Sequence, residues 1–366
     1  MKHMFTELFG EATRLTQGGQ LQAATDLIQR TLRDAGLAGA APEPPHPARG
    51  MVIDAESRVL EDEALPPSTA RSAAPDGQAP APAAEQWLRG SFSHRGRTLA
   101  YRLYVPPTEA GTATAPRPLL VMLHGCTQDA DDFAAGTRMN QLARAAGMLV
   151  LYPEQTQHAN AQKCWNWFKT QHQRRDQGEP DLLAALTRQI AGAHAVDPAR
   201  VYAAGLSAGG AMADILGRSH ADLFAAVGVH SGLPLGAASD LPSALSAMRS
   251  GPAGVATTDL PGCPVIVFHG GADTTVHPAN GAAVLRAARP RDGSAPEIAK
   301  GRAPNGQAFT HTVYRGPDGR SRAEHWALDG LGHAWSGGSP QGSYTAPGGV
   351  DASAEMLRFF LSHRRP

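Results

Sequence analysis

Cysteine is scarce in this chain: three in 366 residues, too few for a disulfide-built scaffold. Their spacing lacks the paired pattern of a structural zinc site, so no metal is expected. Long apolar runs are missing as well, and no segment approaches the roughly 18 residues that a membrane-spanning helix requires. The N-terminal segment carries Glu7, Glu11 and Arg14 in place of an uninterrupted apolar stretch, and no small-residue cleavage site follows. No signal peptide is read there, which sets the expectation of a cytoplasmic chain. Neither sign of charge is in excess, with 33 basic residues against 33 acidic ones. That balance argues against a nucleic-acid partner or an anionic membrane surface and favours a neutral or apolar substrate. What the chain does have is 42% hydrophobic content, enough for one large α/β domain and a smaller addition.

Composition divides the sequence into three parts. Over residues 1–35, Phe5, Leu8, Phe9, Ala12 and Leu15, then Leu21, Ala24, Leu27, Ile28 and Leu32, recur at helical spacing on either side of Gly18-Gly19. This reads as a small helical hairpin, packed on the rest of the chain or serving to dock, oligomerise or anchor on a hydrophobic particle such as a storage granule. Residues 36–85 turn to Ala, Pro, Ser and Glu, a composition without the apolar density to offset its ordering entropy, and read as an extended linker. Residues 86–366 alternate apolar runs with helical patterns. Strands are expected at 97–105, 118–124, 147–152, 201–204, 225–230, 264–269 and 323–328, and helices at 139–146, 181–193, 211–219 and 279–288. That alternation implies an α/β fold with a mostly parallel central sheet and helices on both faces.

One turn in this part has chemical meaning. Gly205-Leu206-Ser207-Ala208-Gly209-Gly210 lies between the apolar run Val201 to Ala204 and a helical pattern. A serine flanked by glycines at a strand-to-helix turn is the sequence form of a nucleophile elbow, in which the turn lifts the hydroxyl clear of the sheet. Glycines are needed because side chains beside the serine would collide with the neighbouring strand or helix. In a chain with 40 glycines the pattern alone is weak, and a small-residue turn that lets a helix pack closely is the plainer reading.

A serine hydroxyl needs a base oriented by a carboxylate, which in hydrolases of this form follow the serine in the order acid, then histidine. Asp273, in His269-Gly270-Gly271-Ala272-Asp273, falls just past the expected strand at 264–269, where catalytic groups of α/β sheets gather. His333, in Gly330-Leu331-Gly332-His333-Ala334-Trp335, falls past the strand at 323–328. An oxyanion hole would use the N–H of Ala208 and one from the loop His124-Gly125-Cys126, with His124 bracing that loop. Trp165 and Asn166, in the aromatic segment Cys164 to Phe168, and Trp335 near His333, are expected to line an apolar cleft, although the rings of that segment could equally line a core. Cys126 and Cys164 both flank the site and are candidates for a disulfide in an oxidising compartment; the missing signal peptide argues for thiols, and the sequence leaves their pairing open. Cys263 is expected to be an inert buried thiol.

Six motifs in order carry a resemblance: Leu123 to Gln128, Tyr152-Pro153-Glu154-Gln155, Cys164 to Phe168, Gly205 to Gly210, His269 to Asp273 and Gly332 to Trp335. Over residues 88–364 the chain resembles the polyhydroxybutyrate (PHB) depolymerase family of esterases. The resemblance implies an α/β-hydrolase fold, no metal or organic cofactor, and hydrolysis of esters of short-chain 3-hydroxyacids through an acyl-enzyme on Ser207, Asp273 and His333, with an oxyanion loop at His124 to Cys126. Related members resemble feruloyl or acetylxylan esterases, a second reading with the same triad. A third makes the chain a non-catalytic hydrolase-fold protein that binds granules. The N-terminal position of the extra module resembles an intracellular form acting on stored polymer or its oligomers.

Overall fold

The computed structural model describes residues 84–108, 115–254, 262–290 and 292–366. The hairpin read over 1–35 and nearly all of the linker read over 36–85 lie outside them.

The first strand, β1 (Gln86–His94), turns through Arg95 and Gly96 into β2 (Arg97–Val105). Both turn residues have positive φ, 48° and 74°, as a two-residue hairpin of matching twist requires. Strand β3 (Arg117–Leu123) leads through α1 (Ala130–Thr137) and α2 (Met139–Ala145) to β4 (Leu149–Glu154). A long loop then reaches α3 (Gly178–Ala193), β5 (Val196–Leu206), α4 (Ala208–Ser219) and β6 (Ala226–His230). Next come α5 (Leu241–Ser250), β7 (Val265–Gly270) and α6 (Ala279–Ala288). The meander β8 (Glu297–Arg302), β9 (Ala308–Arg315) and β10 (Ser321–Leu328) precedes the short pair β11 (Trp335–Ser336) and β12 (Thr345–Ala346), and α7 (Ala352–Leu361) follows.

Ten strands form one sheet in the order β1-β2-β4-β3-β5-β6-β7-β10-β9-β8. The six central strands, from β4 across to β10, run parallel. An antiparallel pair finishes each edge. Strands β3, β4, β6 and β7 and the second half of β5 are apolar along most of their length because both faces are covered, whereas β10, beside the edge pair, carries Arg322, Glu324 and His325; a period of two sorts the inward side chains into two cores. Leu119, Val121, Leu123, Val201, Ala203, Val227, Val229, Val265 and Val267 face α3, α4 and α6. Leu120, Met122, Tyr202, Ala204, Ile266 and Phe268 face α1, α2 and α7.

The edges were the less readable part. Strands β1, β8 and β9 are mostly exposed or half-buried along their length, so they lack the apolar run that marks the central strands. Helix α7 is set by Asp351, whose side chain accepts the Ala354 N–H at 3.0 Å, and it buries Met356, Phe359 and Phe360. Among the described residues no helix is long and apolar enough to cross a membrane.

Candidate active site

The parallel strands end at one edge of the sheet, and the loops there carry the site. Strand β5 stops at Leu206, and α4 starts at Ala208. Ser207 between them has φ 57° and ψ −118°, a strained conformation for a residue with a side chain. Two short bonds hold it: its N–H donates to His230 O at 2.9 Å, and its carbonyl accepts the Ala211 N–H at 2.9 Å. The glycines are forced by close approach. A Cβ on Gly205 would come within 2.6 Å of Leu123 O, and one on Gly209 within 2.6 Å of His124 O.

Asp273 and His333 meet across two loops. His333 Nδ1 donates to Asp273 Oδ2 at 2.7 Å, which fixes the tautomer and leaves Nε2 as the ring's free nitrogen. Asp273 Oδ1 accepts the N–H groups of Thr275 and Val276 at 2.9 and 2.8 Å. Burial alone would raise the Asp273 pKa, but the His269 and His333 rings and the Val276 N–H hold it well below the usual carboxylate range. His269 Nε2 lies 3.5 Å from Oδ2 and donates to Val276 O at 2.8 Å, closing the turn around the acid. The base loop needs Gly270 beneath it, where a Cβ would come within 2.7 Å of Gly332 O.

The loop after β3 is braced from several directions. His124 Nε2 accepts the Gln155 N–H at 3.1 Å, so Nδ1 carries the proton and donates to Gly125 O at 2.6 Å. Burial lowers the His124 pKa and keeps the ring neutral. Gln128 Oε1 takes the Gly125 N–H at 2.9 Å. Among the described residues the N–H groups of Cys126 and Ala208 have no hydrogen-bond partner. The Ala208 N–H opens α4, at the positive end of the helix dipole. Unspent donors of this kind can take up negative charge developing on a carbonyl oxygen.

The sequence comparison decides the family. The model of the family described as Esterase PHB depolymerase matches residues 99–290, just over half of the chain. The chain belongs to the PHB depolymerase family of esterases. It is 31% identical over 233 residues to the poly(3-hydroxyalkanoate) depolymerase C of Paucimonas lemoignei, covering 60% of this chain and 55% of that one. It is 29% identical over 281 residues to the poly(3-hydroxybutyrate) depolymerase of Ralstonia pickettii, covering 70% and 55%. The chain thus spans about half the length of these curated relatives. Among solved structures, an acetyl xylan esterase from Aspergillus awamori superposes with a TM-score of 0.57 at 19% identity, over 76% of this chain and 99% of that one. That likeness carries the fold: the sheet is that of an α/β-hydrolase.

In this PHB depolymerase family member, three residues expected to line a cleft are buried instead. Trp165 is 0% exposed, Asn166 2% and Trp335 1%. Their polar atoms bond to protein. Trp165 Nε1 donates to His124 O at 3.2 Å, and Asn166 gives its N–H and Nδ2 to the Glu179 carboxylate at 2.7 and 2.6 Å. Trp335 Nε1 donates to Ser353 Oγ at 3.0 Å while its ring stacks on His230, 5.0 Å away. These side chains hold the loops up from behind. Sequence composition showed a cluster of aromatics but not which way they face.

The pairing that the sequence leaves open is decided for a disulfide, against the thiols that the missing signal peptide favours: Cys126 and Cys164 are bonded, with their Cα atoms 4.3 Å apart. The chain brings the two loops together through Trp165 and His124, and that places the sulfurs within bonding reach. Cys263 stays free, and burial pushes its thiol up to about 12, which makes it inert. Two supporting residues carried no sequence signal. Glu179, buried at the start of α3, also accepts Gln155 Nε2 at 2.8 Å and so ties the aromatic loop to the strand end near His124. His230 offers its carbonyl to Ser207 N–H and accepts the Ser336 N–H on its ring at 3.0 Å. It therefore links the serine turn to the segment just beyond His333.

Proposed function

We propose that the chain is a serine esterase that hydrolyses short-chain poly(3-hydroxyalkanoate) esters, such as poly(3-hydroxybutyrate) or its oligomers. The observation that carries the reading is the pairing of His333 Nδ1 with Asp273 at 2.7 Å at the same strand edge as a serine held at φ 57°. Ser207 Oγ attacks the ester carbonyl while His333 Nε2 takes its proton, and the buried anion of Asp273 stabilises the imidazolium that forms. The N–H groups of Cys126 and Ala208 receive the oxyanion. Collapse of the tetrahedral intermediate breaks the bond to the leaving alcohol, which takes the proton from His333, and water then repeats the cycle to free the acyl group. The substrate class rests on the family and on the depolymerases named above.

A fluorophosphonate probe and a substrate panel test this reading together. The probe should label Ser207 and fail on Ser207→Ala; an unlabelled wild type would favour a non-catalytic granule binder. On the panel, 3-hydroxybutyrate oligomers should turn over faster than feruloyl and acetylated-sugar esters, and the reverse order would move the substrate to carbohydrate side chains. The compartment is open to a direct check. The cytoplasmic, granule-associated reading rests on the N-terminal sequence, whereas the Cys126–Cys164 bond fits oxidising surroundings. Alkylation of thiols in protein taken from each cell fraction tells them apart: one free thiol per chain marks the oxidised form.

A further inference from the structure

One exposed aromatic stands in a segment that is otherwise tightly held. The loop between β11 and β12 is fastened to α1: Ser339 N–H donates to Gly136 O at 2.8 Å, and Gly342 packs on Gly136. Ser343 gives its N–H and Oγ to the Asp132 carboxylate at 2.8 and 2.6 Å. Gln128, the side chain that holds the Gly125 N–H, also donates to Ser343 O at 3.2 Å. Thr345 on the other side is held through Oγ1, which donates to Ser339 O at 2.8 Å. Tyr344 lies between these anchors. Its carbonyl accepts the Trp335 N–H at 2.7 Å, two residues past His333, and its hydroxyl is 3.2 Å from Oγ1 of Thr127, the neighbour of Cys126.

Tyr344 therefore bridges the oxyanion loop and the base loop, yet it remains 46% exposed and sits at φ 52°. A left-handed backbone is unfavourable for an aromatic residue, and the ring gains little burial in return. The backbone carbonyl and the hydroxyl are spent in joining the two loops, and the part of the side chain that the fold leaves unused is the half-exposed ring. With the hydroxyl engaged by Thr127 Oγ1, the rest of this 46% exposed side chain is a ring suited to apolar contact.

We infer that Tyr344 is a specificity-determining residue, its ring forming an apolar platform at the mouth of the site for the part of the ester chain beyond the scissile group. This rests on the esterase reading and deepens it: the platform selects by apolar length and is indifferent to sugar hydroxyls.

Full-length Tyr344→Ala, Tyr344→Phe and Tyr344→Gly are to be compared with the wild type on p-nitrophenyl acetate, p-nitrophenyl hexanoate and a linear 3-hydroxybutyrate trimer. Tyr344→Ala should raise KM for the hexanoate and the trimer roughly tenfold more than for the acetate, the loss of a few tens of Å² of apolar contact. Tyr344→Phe keeps the ring and should keep the wild-type ratio. Tyr344→Gly suits the backbone, so it should lose the same selectivity while its Tm holds, which separates recognition from misfolding. Equal effects on all three esters, no effect on any, or a Tyr344→Phe that behaves as Tyr344→Ala would overturn the assignment. A wild type that cleaves the p-nitrophenyl esters but not the trimer defeats the polyester reading, and the hexanoate-to-acetate ratio still decides Tyr344. A wild type inert toward all three sinks both.

Discussion

The turn at Ser207 and the segment Cys164 to Phe168 both touch the loop His124 to Cys126, and they use their polar atoms in opposite ways. Around Ser207 the backbone is strained, and the N–H groups of Ala208 and Cys126 have no partner among the described residues. In the aromatic segment the donors are satisfied: Trp165 Nε1 bonds to His124 O, and Asn166 bonds to Glu179 through both its N–H and its amide. A group becomes chemically available when the fold orders it without satisfying it. The second region supplies the order that lets the first remain unsatisfied, since buried groups left unpaired are costly unless a rigid surround holds them.

That contrast can be broken experimentally, and the strongest test is Ser207→Ala. Ester turnover should fall by roughly 10⁵-fold or more, with the unfolding midpoint unchanged. Loss of a few-fold only, in a stopped assay with p-nitrophenyl butyrate, would remove Ser207 from the chemistry. Asp273→Asn comes next: the amide cannot hold His333 as the carboxylate does, and kcat should drop about 10³- to 10⁴-fold. Near-wild-type kcat would shift the acid role to another residue.

In the aromatic segment the order of effects should reverse, with stability hit first. Trp165→Ala empties a site that is 0% exposed and leaves His124 O without its donor, so urea unfolding should show a loss of about 3 to 5 kcal/mol. Its kcat/KM should fall by roughly 10- to 100-fold, through misplacement of the oxyanion loop. A stability loss below 1 kcal/mol would mean that the segment is not the brace described above.

The smallest effect separates acid unfolding from loss of chemistry. Burial pushes the rings of His220 and His325 down to about 4, and His325 Nε2 has no partner. The unfolded chain takes up these protons near pH 6.5 while the folded chain resists them until about pH 4, so stability is full above the first value and declines toward the second. Tm should decline across this window, and His325→Leu should flatten the slope; an unchanged slope would assign the acid lability to other groups.

How much of this was legible differs between the two regions for a physical reason. The serine turn is legible because its glycine-rich motif is contiguous in sequence between an apolar strand and a helix, although the atoms that forbid a side chain at Gly205 and Gly209 include Leu123 O and His124 O, on the neighbouring strand and far upstream in sequence. The strand past which Asp273 falls is marked locally, because β7, covered on both faces, is apolar over Val265 to Phe268, while β10, past which His333 falls, carries Arg322, Glu324 and His325 and is marked more weakly. The aromatic segment is the opposite case. Trp165, Asn166 and Trp335 have the composition of a binding wall, and only their partners, Glu179, His124, His230 and Ser353, show that they face inward. Those partners lie between 13 and 105 positions away in sequence.

The sequence by itself determined the parallel core and the placing of Ser207, Asp273 and His333 just past its strands, because hydrophobic period and turn-forming residues act over short stretches of chain. Tertiary structure alone decided that Cys126 bonds to Cys164, that the tryptophans brace the site from behind, and that Tyr344 is left exposed between the two loops. Each of those outcomes depends on which distant atoms meet and how each hydrogen bond is spent, and no local pattern encodes that meeting.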